Sequence, residues 1–282
     1  MDFVQNFPFF SIILSMLSGI ISSVLPGKAA KWVNTAVIFI SGVLSWVLLL
    51  YLMRKGESYT YMMGHFPAPW GNEIRAGVLE AGTALFFCII MLLSLFGGRK
   101  KLEEEVDSEK HNLYYILMDL MLSSLLALVY TNDLFTAYVF VEINTIAACG
   151  LIMIRQNGRT IEAAVRYMIM SLLGSGLLLM GICMLYDLTG HLLMSNIHEQ
   201  VKALASSGQY RTPLLVTIAL MSVGLAIKSA LFPFHAWLPD AYGYSTVSSA
   251  AVLSSLVSKG YIFLLMKIVY RVIGVTVFDD SR

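Results

Sequence analysis

Eight stretches of this chain are apolar for long enough to cross a membrane as helices, which takes about 20 mostly apolar residues. The pattern predicts spans at 8–25, 32–53, 79–97, 113–131, 134–154, 163–187, 213–241 and 246–272. Glycine, proline and charge punctuate them at Pro26-Gly27-Lys28, at Arg54-Lys55-Gly56 and across the segment from Gly97 to His111. That last segment holds Arg99-Lys100-Lys101 and then Glu103-Glu104-Glu105, and reads as a solvated loop or a partner-docking stretch. Residues 57–78 carry Tyr59, Tyr61, Phe66 and Trp70 with Pro67 and Pro69, a composition suited to the headgroup layer. Residues 190–212, with His191, His198, Glu199, Lys202 and Arg211, predict a short interfacial helix. The two histidines have no third ligand nearby in sequence, so no metal site is expected there.

The seventh run contains its own interruption. Lys228 stands near the end of the apolar stretch Leu214 to Leu231, and Pro233 follows shortly after. A lysine at mid-bilayer costs roughly 2.5–3.5 kcal/mol on insertion scales. An interior proline removes a backbone hydrogen bond and crowds the carbonyl four residues back, here that of Ser229. Irregular backbone at membrane depth is tolerated only where protein buries it or it lines a water-filled cavity. The break is therefore expected at Pro233, and a charge beside it points to an ion pathway.

Composition agrees with a membrane protein. The chain is 57% hydrophobic and 13% charged, with mean hydropathy +0.74, against about 25% charged residues in soluble domains. A net charge of +1 gives no indication of nucleic acid as a partner. Cys88, Cys149 and Cys183 lie in apolar runs without metal-ligand spacing and read as buried small hydrophobes. Asp2, not Lys or Arg, precedes the first run, so a cleavable signal peptide is not expected. Placing the N-terminus outside puts Lys28, Lys31, Arg99, Lys100, Lys101, Lys110, Arg155 and Arg159 inside. Arg54, Lys55, Arg75, Lys202, Arg211 and the C-terminal cluster then lie outside, a weak bias in favour of that orientation.

Four ionisable residues fall deep in the spans: Asp119, Glu142, Lys228 and Lys259. Glu142 shares a helix face with Tyr138 and Thr145. Lys259 follows Ser255 by one turn, within a hydroxyl-rich run from Ser245 to Ser258. Burial disfavours an ammonium and a nearby carboxylate favours it, so a lysine whose carboxylate approaches and retreats is a switchable proton carrier. Asp119 is close enough to its helix start to reach the interface through local water. Arg166 and Lys267 are near helix ends and expected to snorkel, and Arg166 is also a candidate for the inner mouth of the path. The alternative is a set of buried ion pairs that only fixes packing, although such pairs are often replaceable by apolar residues without loss of stability.

The run from Ile227 through Lys228, Pro233, His235, Trp237, Pro239 and Asp240 to Ala241 resembles the broken seventh helix of the antiporter-like proton-translocating subunits. These occur in respiratory complex I, Mrp-type sodium/proton antiporters and membrane-bound hydrogenases. Asp133 to Ile143, with Glu142, resembles the family's fifth helix, and Val252 to Tyr261, with Lys259, its eighth. The resemblance implies an all-α, polytopic integral membrane protein. Residues 1–112 are three N-terminal helices with their loops, 113–272 the first of two inverted five-helix repeats, and 273–282 a tail. It implies Glu142 as charge partner, Lys228 as pumping lysine and Lys259 as connecting lysine, with His235, Asp240, Asp119, Arg166 and Ser255 as further path candidates. Two departures stand out. The family's proline near the start of the eighth helix is replaced by Tyr244-Ser245-Thr246-Val247. Arg282 ends the sequence where the family continues into its second repeat, so another chain or segment is expected to supply it.

The function expected is proton or sodium/proton translocation within a multisubunit complex in a prokaryotic inner membrane, with other membrane subunits, H+ or Na+ and the bilayer as partners. No cofactor is expected, since no phosphate loop, nucleophile elbow or cysteine cluster is present. The alternatives are a transport-silent scaffold, sensitive at Ser171, Gly174 or Ser175, and a membrane enzyme acting on lipid or quinone.

Overall fold

A computed structural model describes residues 3–63, 66, 72–207 and 210–274. Pro67, Pro69, Trp70 and the tail beyond Gly274 lie outside them. Eight helical segments among the described residues are long and apolar enough to span a membrane. They contain α1 (Phe7–Val24), α2 (Gly27–Lys55), α3 (Val78–Glu105), α4 (His111–Tyr130), α5 (Leu134–Met153), α6 (Gly158–Thr189), α8 (Arg211–Lys228) and the composite last span Val247–Ile273. The protein is an all-α, multi-pass integral membrane protein, with one small addition. Tyr59–Met62 (β1) and Glu73–Ala76 (β2) pair as an antiparallel hairpin where the hydropathy pattern predicts only a loop. Tyr, Thr and Ile favour a pleated surface. The hairpin is tied down by Tyr59 Oη donating to the Gln5 carbonyl at 3.0 Å and by an Ile74–Thr131 bridge.

Local signals set the helix ends. Gly56 and Gly190 close α2 and α6 in the left-handed conformation that glycine adopts without penalty. Asn157 and Thr160 form a reciprocal capping box at the start of α6. The expected interfacial segment contains α7 (Met194–Ser207). Thr246 caps α10 (Val247–Val252) by accepting from the Ser249 amide at 3.1 Å, so the last span begins without the family's proline. A π-helical stretch, Leu253–Val257, joins α10 to α11 (Ser258–Lys267), and a second, Ile268–Ile273, ends the span.

α4 is the pillar of the bundle, the most deeply buried of the spans, packed against α1, α2 and α5. α6 lies along α8, and α2 along α3. The third span overruns its expected end at 97 by continuing to Glu105. Arg99 and Glu103 pair at 3.7 Å one turn apart, and Lys31 of α2 reaches Glu103 at 3.3 Å, so the charged run extends the helix.

Burial at three positions differs from expectation. Asp119 does not reach the interface: it is fully buried, accepting from Ser18 at 2.8 Å, Ser22 at 3.4 Å and Asn34 at 2.8 Å. Cys183 is exposed, unlike Cys88 and Cys149. Lys267 does not snorkel. It is 4% exposed and donates to the carbonyls of Val129 at 3.0 Å and Thr131 at 2.5 Å, beyond the last hydrogen bonds of α4. A cation suits a helix C-terminus, where carbonyls lack partners. Beside it Arg271 pairs with the buried Glu80 at the start of α3. Lys267→Met is expected to cost about 1.5–3 kcal/mol, the range for hydrogen bonds to charged groups. Thermal unfolding in detergent checks this, and an unchanged midpoint refutes it.

Candidate functional site

α8 is an apolar helix that stops at Lys228, ahead of Pro233. Ser229 caps it, Ala230 takes a positive φ of 55°, and the chain stays non-helical until α9 (Leu238–Tyr244). The expected cause of the break is thus corrected. Pro233 is not inside a helix and does not strip a hydrogen bond from the Ser229 carbonyl. The turn at Ser229–Ala230 has already ended α8. The irregular backbone is satisfied internally: Trp237 Nε1 donates to the Ile227 carbonyl at 3.3 Å, and the Leu231 amide donates to the Ala226 carbonyl at 2.9 Å. Trp237 is buried edge-on against Tyr167, ring centroids 5.0 Å apart, and so pins the returning chain to α6.

The Lys228 ammonium is turned into the bundle, with none of its side chain exposed. It donates to Thr145 Oγ1 at 2.7 Å, faces Glu142 Oε1 at 3.5 Å, and lies 5.6 Å from the centroid of the Tyr261 ring. Glu142 and Thr145 come from one face of α5. Thr145 donates its own proton to the Val141 carbonyl at 2.8 Å, so it presents a lone pair to the lysine. Ser175 of α6 donates to Glu142. From Tyr261 the network continues inward: Tyr261 Oη donates to Asn144 Oδ1 at 3.0 Å, and Asn144 Nδ2 donates to Ser124 Oγ of α4 at 2.9 Å.

Close helix approach makes this meeting possible. A Cβ on Gly224 would lie 2.6 Å from the Gly174 carbonyl oxygen and 2.8 Å from the Leu178 nitrogen. A Cβ on Gly174 would lie 2.8 Å from the Gly224 carbonyl oxygen. Backbone thus meets backbone across the α6–α8 seam, as small residues permit in membrane bundles.

The other sequence candidates disperse. Lys259 is exposed and donates to the Ser254 carbonyl at 2.5 Å, at the end of the π-helical stretch. The Ser255 hydroxyl turns back to the Ala251 carbonyl instead of facing Lys259. Asp240 and Arg166 do meet, at 2.5 Å, with Glu162 also on Arg166 at 2.7 Å, and this joins α9 to the exposed side of α6. His235 is exposed and stacked on Phe232. Asp119 belongs to the α1–α2–α4 contact.

Sequence reasoning misses Asn144, Tyr261 and Ser124, and takes Ser175 for a packing residue. Asn144 and Tyr261 each lie two positions beyond a charged candidate, and a single buried polar side chain in an apolar span is the only signal they give. Among the described residues, no three His, Cys, Asp or Glu side chains gather as metal ligands. What the site holds is an ion pair between a buried ammonium and a partly open carboxylate, each held by a hydroxyl.

Several known proteins are similar to this chain. NADH-quinone oxidoreductase subunit N of Desulforudis audaxviator is 32% identical over 226 residues, covering 80% of this chain and 44% of that protein. A subunit of the Na(+)/H(+) antiporter of Bacillus subtilis is 25% identical over 268 residues, covering 94% and 52%. In fold, the whole chain superposes on 51% of a chain of the Mrp complex from Dietzia sp. DQ12-45-1b, with a TM-score of 0.84 at 24% identity. It likewise superposes on 55% of a chain of an archaeal membrane-bound sulfane sulfur reductase, with a TM-score of 0.85 at 23% identity. The chain spans about half the length of these relatives. Residues 131–278, from the end of α4 through the last span, match the family described as NADH:quinone oxidoreductase/Mrp antiporter, TM, and the chain belongs to that family.

Proposed function

We propose that this protein is a proton-carrying membrane subunit that works inside a multisubunit ion-translocating complex. The observation that carries this reading is the Lys228 ammonium, wholly enclosed by protein, bonded to Thr145 and 3.5 Å from Glu142. An ionisable residue kept inside a membrane bundle is costly and marks an ion path by default. Lys228 is the carrier and Glu142 its switching counter-charge. Thr145, Ser175 and Tyr261 are positioning residues: two hydroxyls fix the ammonium and the carboxylate, and the Tyr261 ring, oriented through Asn144, faces the ammonium. When Glu142 stays close, the proton stays on Lys228; when it withdraws, the buried amine releases it.

The five spans from α4 through the composite Val247–Ile273 form one repeat in this reading. Lys259, an ammonium on the outer face of an apolar helix, is the exit toward the family's second repeat. The relatives support this, being about twice as long and described as subunits of an oxidoreductase and an antiporter. In this reading the N-terminus faces outward from a prokaryotic inner membrane, in keeping with the weak Lys/Arg bias. His235, Asp240 and Arg166 lie along the exposed side of the break and of α6, where they serve as mouth residues; among the described residues, Asp119 and Ser255 hydrogen-bond elsewhere than to the Lys228 network.

Glu142→Gln keeps the shape and the hydrogen bond from Ser175 but removes the counter-charge. In proteoliposomes holding the assembled complex it is expected to lower ΔpH-linked transport at least tenfold, with the amount of complex on a native gel unchanged. Undiminished transport would favour a silent scaffold. Repeating the assay with Na+ and then K+ as the only cation identifies the coupled ion.

A further inference from the structure

α2 and α3 lie side by side, and two cavities open between them in one line. The first, about 40 Å³, is lined by Lys31, Trp32 and Thr35 of α2, by Leu95, Phe96 and Arg99 of α3, and by Tyr115. The second, about 210 Å³, is lined almost wholly by apolar atoms, among them Phe39, Gly42, Val43 and Trp46 opposite Cys88 and Leu92. Only one turn separates Thr35 from Phe39 and Leu92 from Leu95. From Lys31 to Trp46 the seam is about 22 Å long at 1.5 Å per residue. A leaflet contributes roughly half of a hydrocarbon core about 30 Å thick, so the groove runs from one interface past mid-membrane.

We infer that this seam holds one anionic phospholipid, its phosphate at Lys31 and Arg99 and one acyl chain along Phe39, Val43 and Trp46. Charge selects the headgroup. Lys31 and Arg99 share a single carboxylate, Glu103, at 3.3 and 3.7 Å, which leaves one positive charge over at the mouth. Arg99 offers a planar fork of donors that matches phosphate oxygens. Trp32 and Phe96 flank that mouth, 73% and 64% exposed, as aromatic rings do at a membrane interface. Gly42 lines the groove without a side chain, and a Cβ there would come into ordinary contact with Cys88 Cβ at 3.4 Å. A polar mouth in line with an apolar slot one turn deeper suits a lipid rather than a free anion. This site is independent of the Lys228 network and of the function proposed above.

The test is native mass spectrometry of the full protein, released from detergent after exposure to equal phosphatidylglycerol and phosphatidylcholine. One phosphatidylglycerol is expected to remain bound, in at least tenfold preference. Arg99→Ala and Lys31→Ala should each reduce its retention severalfold, and Arg99→Lys, which keeps the charge but not the fork, should fall between Arg99→Ala and the unchanged protein. Val43→Trp, at an exposed groove position, should expel the chain with the charges intact. Millimolar inorganic phosphate should not compete; competition would mean a free-anion site and overturn the proposal. Equal retention of both lipids, or retention insensitive to all the variants, would also overturn it. So would crosslinking of a cysteine at Val43 to a neighbouring protein in the intact complex, which would assign the seam to a partner helix.

Discussion

Lys228→Ala is expected to abolish ion translocation while leaving the complex assembled. The ammonium is the donor at the centre of the site, bonded to Thr145 at 2.7 Å and facing Glu142 at 3.5 Å, and no other cation touches that carboxylate among the described residues. Removing one partner of a buried ion pair commonly costs about 3–5 kcal/mol because the other charge is left uncompensated. Here that cost is softened: Glu142 keeps the hydrogen bond from Ser175, and its side chain is 26% exposed. The helix itself does not depend on the lysine, since the α8 end is held by Trp237 and by the Ser229–Ala230 turn. Transport should therefore fall to background, measured as loss of a proton gradient in proteoliposomes, with complex yield within about twofold of normal. Full transport in the Lys228→Ala complex would end the proton-carrier reading.

Gly224→Leu is expected to do the reverse and remove the protein from the membrane altogether. The added Cβ would stand 2.6 Å from the Gly174 carbonyl oxygen and 2.8 Å from the Leu178 nitrogen. Both obstacles are backbone atoms, which cannot rotate away as a side-chain tip does. Overpacking in a well-packed core costs about 1–3 kcal/mol and occasionally more, and here the relief must come from moving α6 and α8 apart along the seam. That displacement also pulls Ser175 and Lys228 away from each other's neighbours, so any residual protein should transport poorly. The measurement is the amount of chain in detergent-solubilised membranes, expected at less than a tenth of normal. Normal abundance would show that the seam is looser than its geometry. The two variants together separate chemistry from architecture.

Much of the architecture is legible from hydropathy alone. All eight spans are visible in it, and Lys228 and Glu142 stand out as costly charges, although the 3.5 Å contact between them is set by the fold. Departures cluster where charge occurs in runs or near helix ends. The third span runs on to Glu105 because Lys31, Arg99 and Glu103 pair across and along the helix surface. The break in the seventh span falls at Ser229–Ala230, before the proline to which a local reading assigns it.

Lys259 and Lys267 show where local reading stops. Both stand in one apolar helix, yet Lys259 is exposed and Lys267 is 4% exposed, its ammonium on the last carbonyls of α4. In a soluble helix the apolar face announces the core. In a membrane helix the lipid-facing side is as apolar as the packed side, so the sequence carries little record of which way a given residue turns. The sequence by itself determined that eight stretches among the described residues are long and apolar enough to cross a membrane, and that a lysine and a glutamate stand within them at a depth that leaves charge costly. Only the tertiary structure decided that Thr145, Tyr261 and Ser175 hold that pair, that Asp119 serves the α1–α2–α4 contact, and that Lys259 looks outward. Those choices depend on helix rotation and on backbone contact at Gly174 and Gly224, which arise between segments distant in sequence.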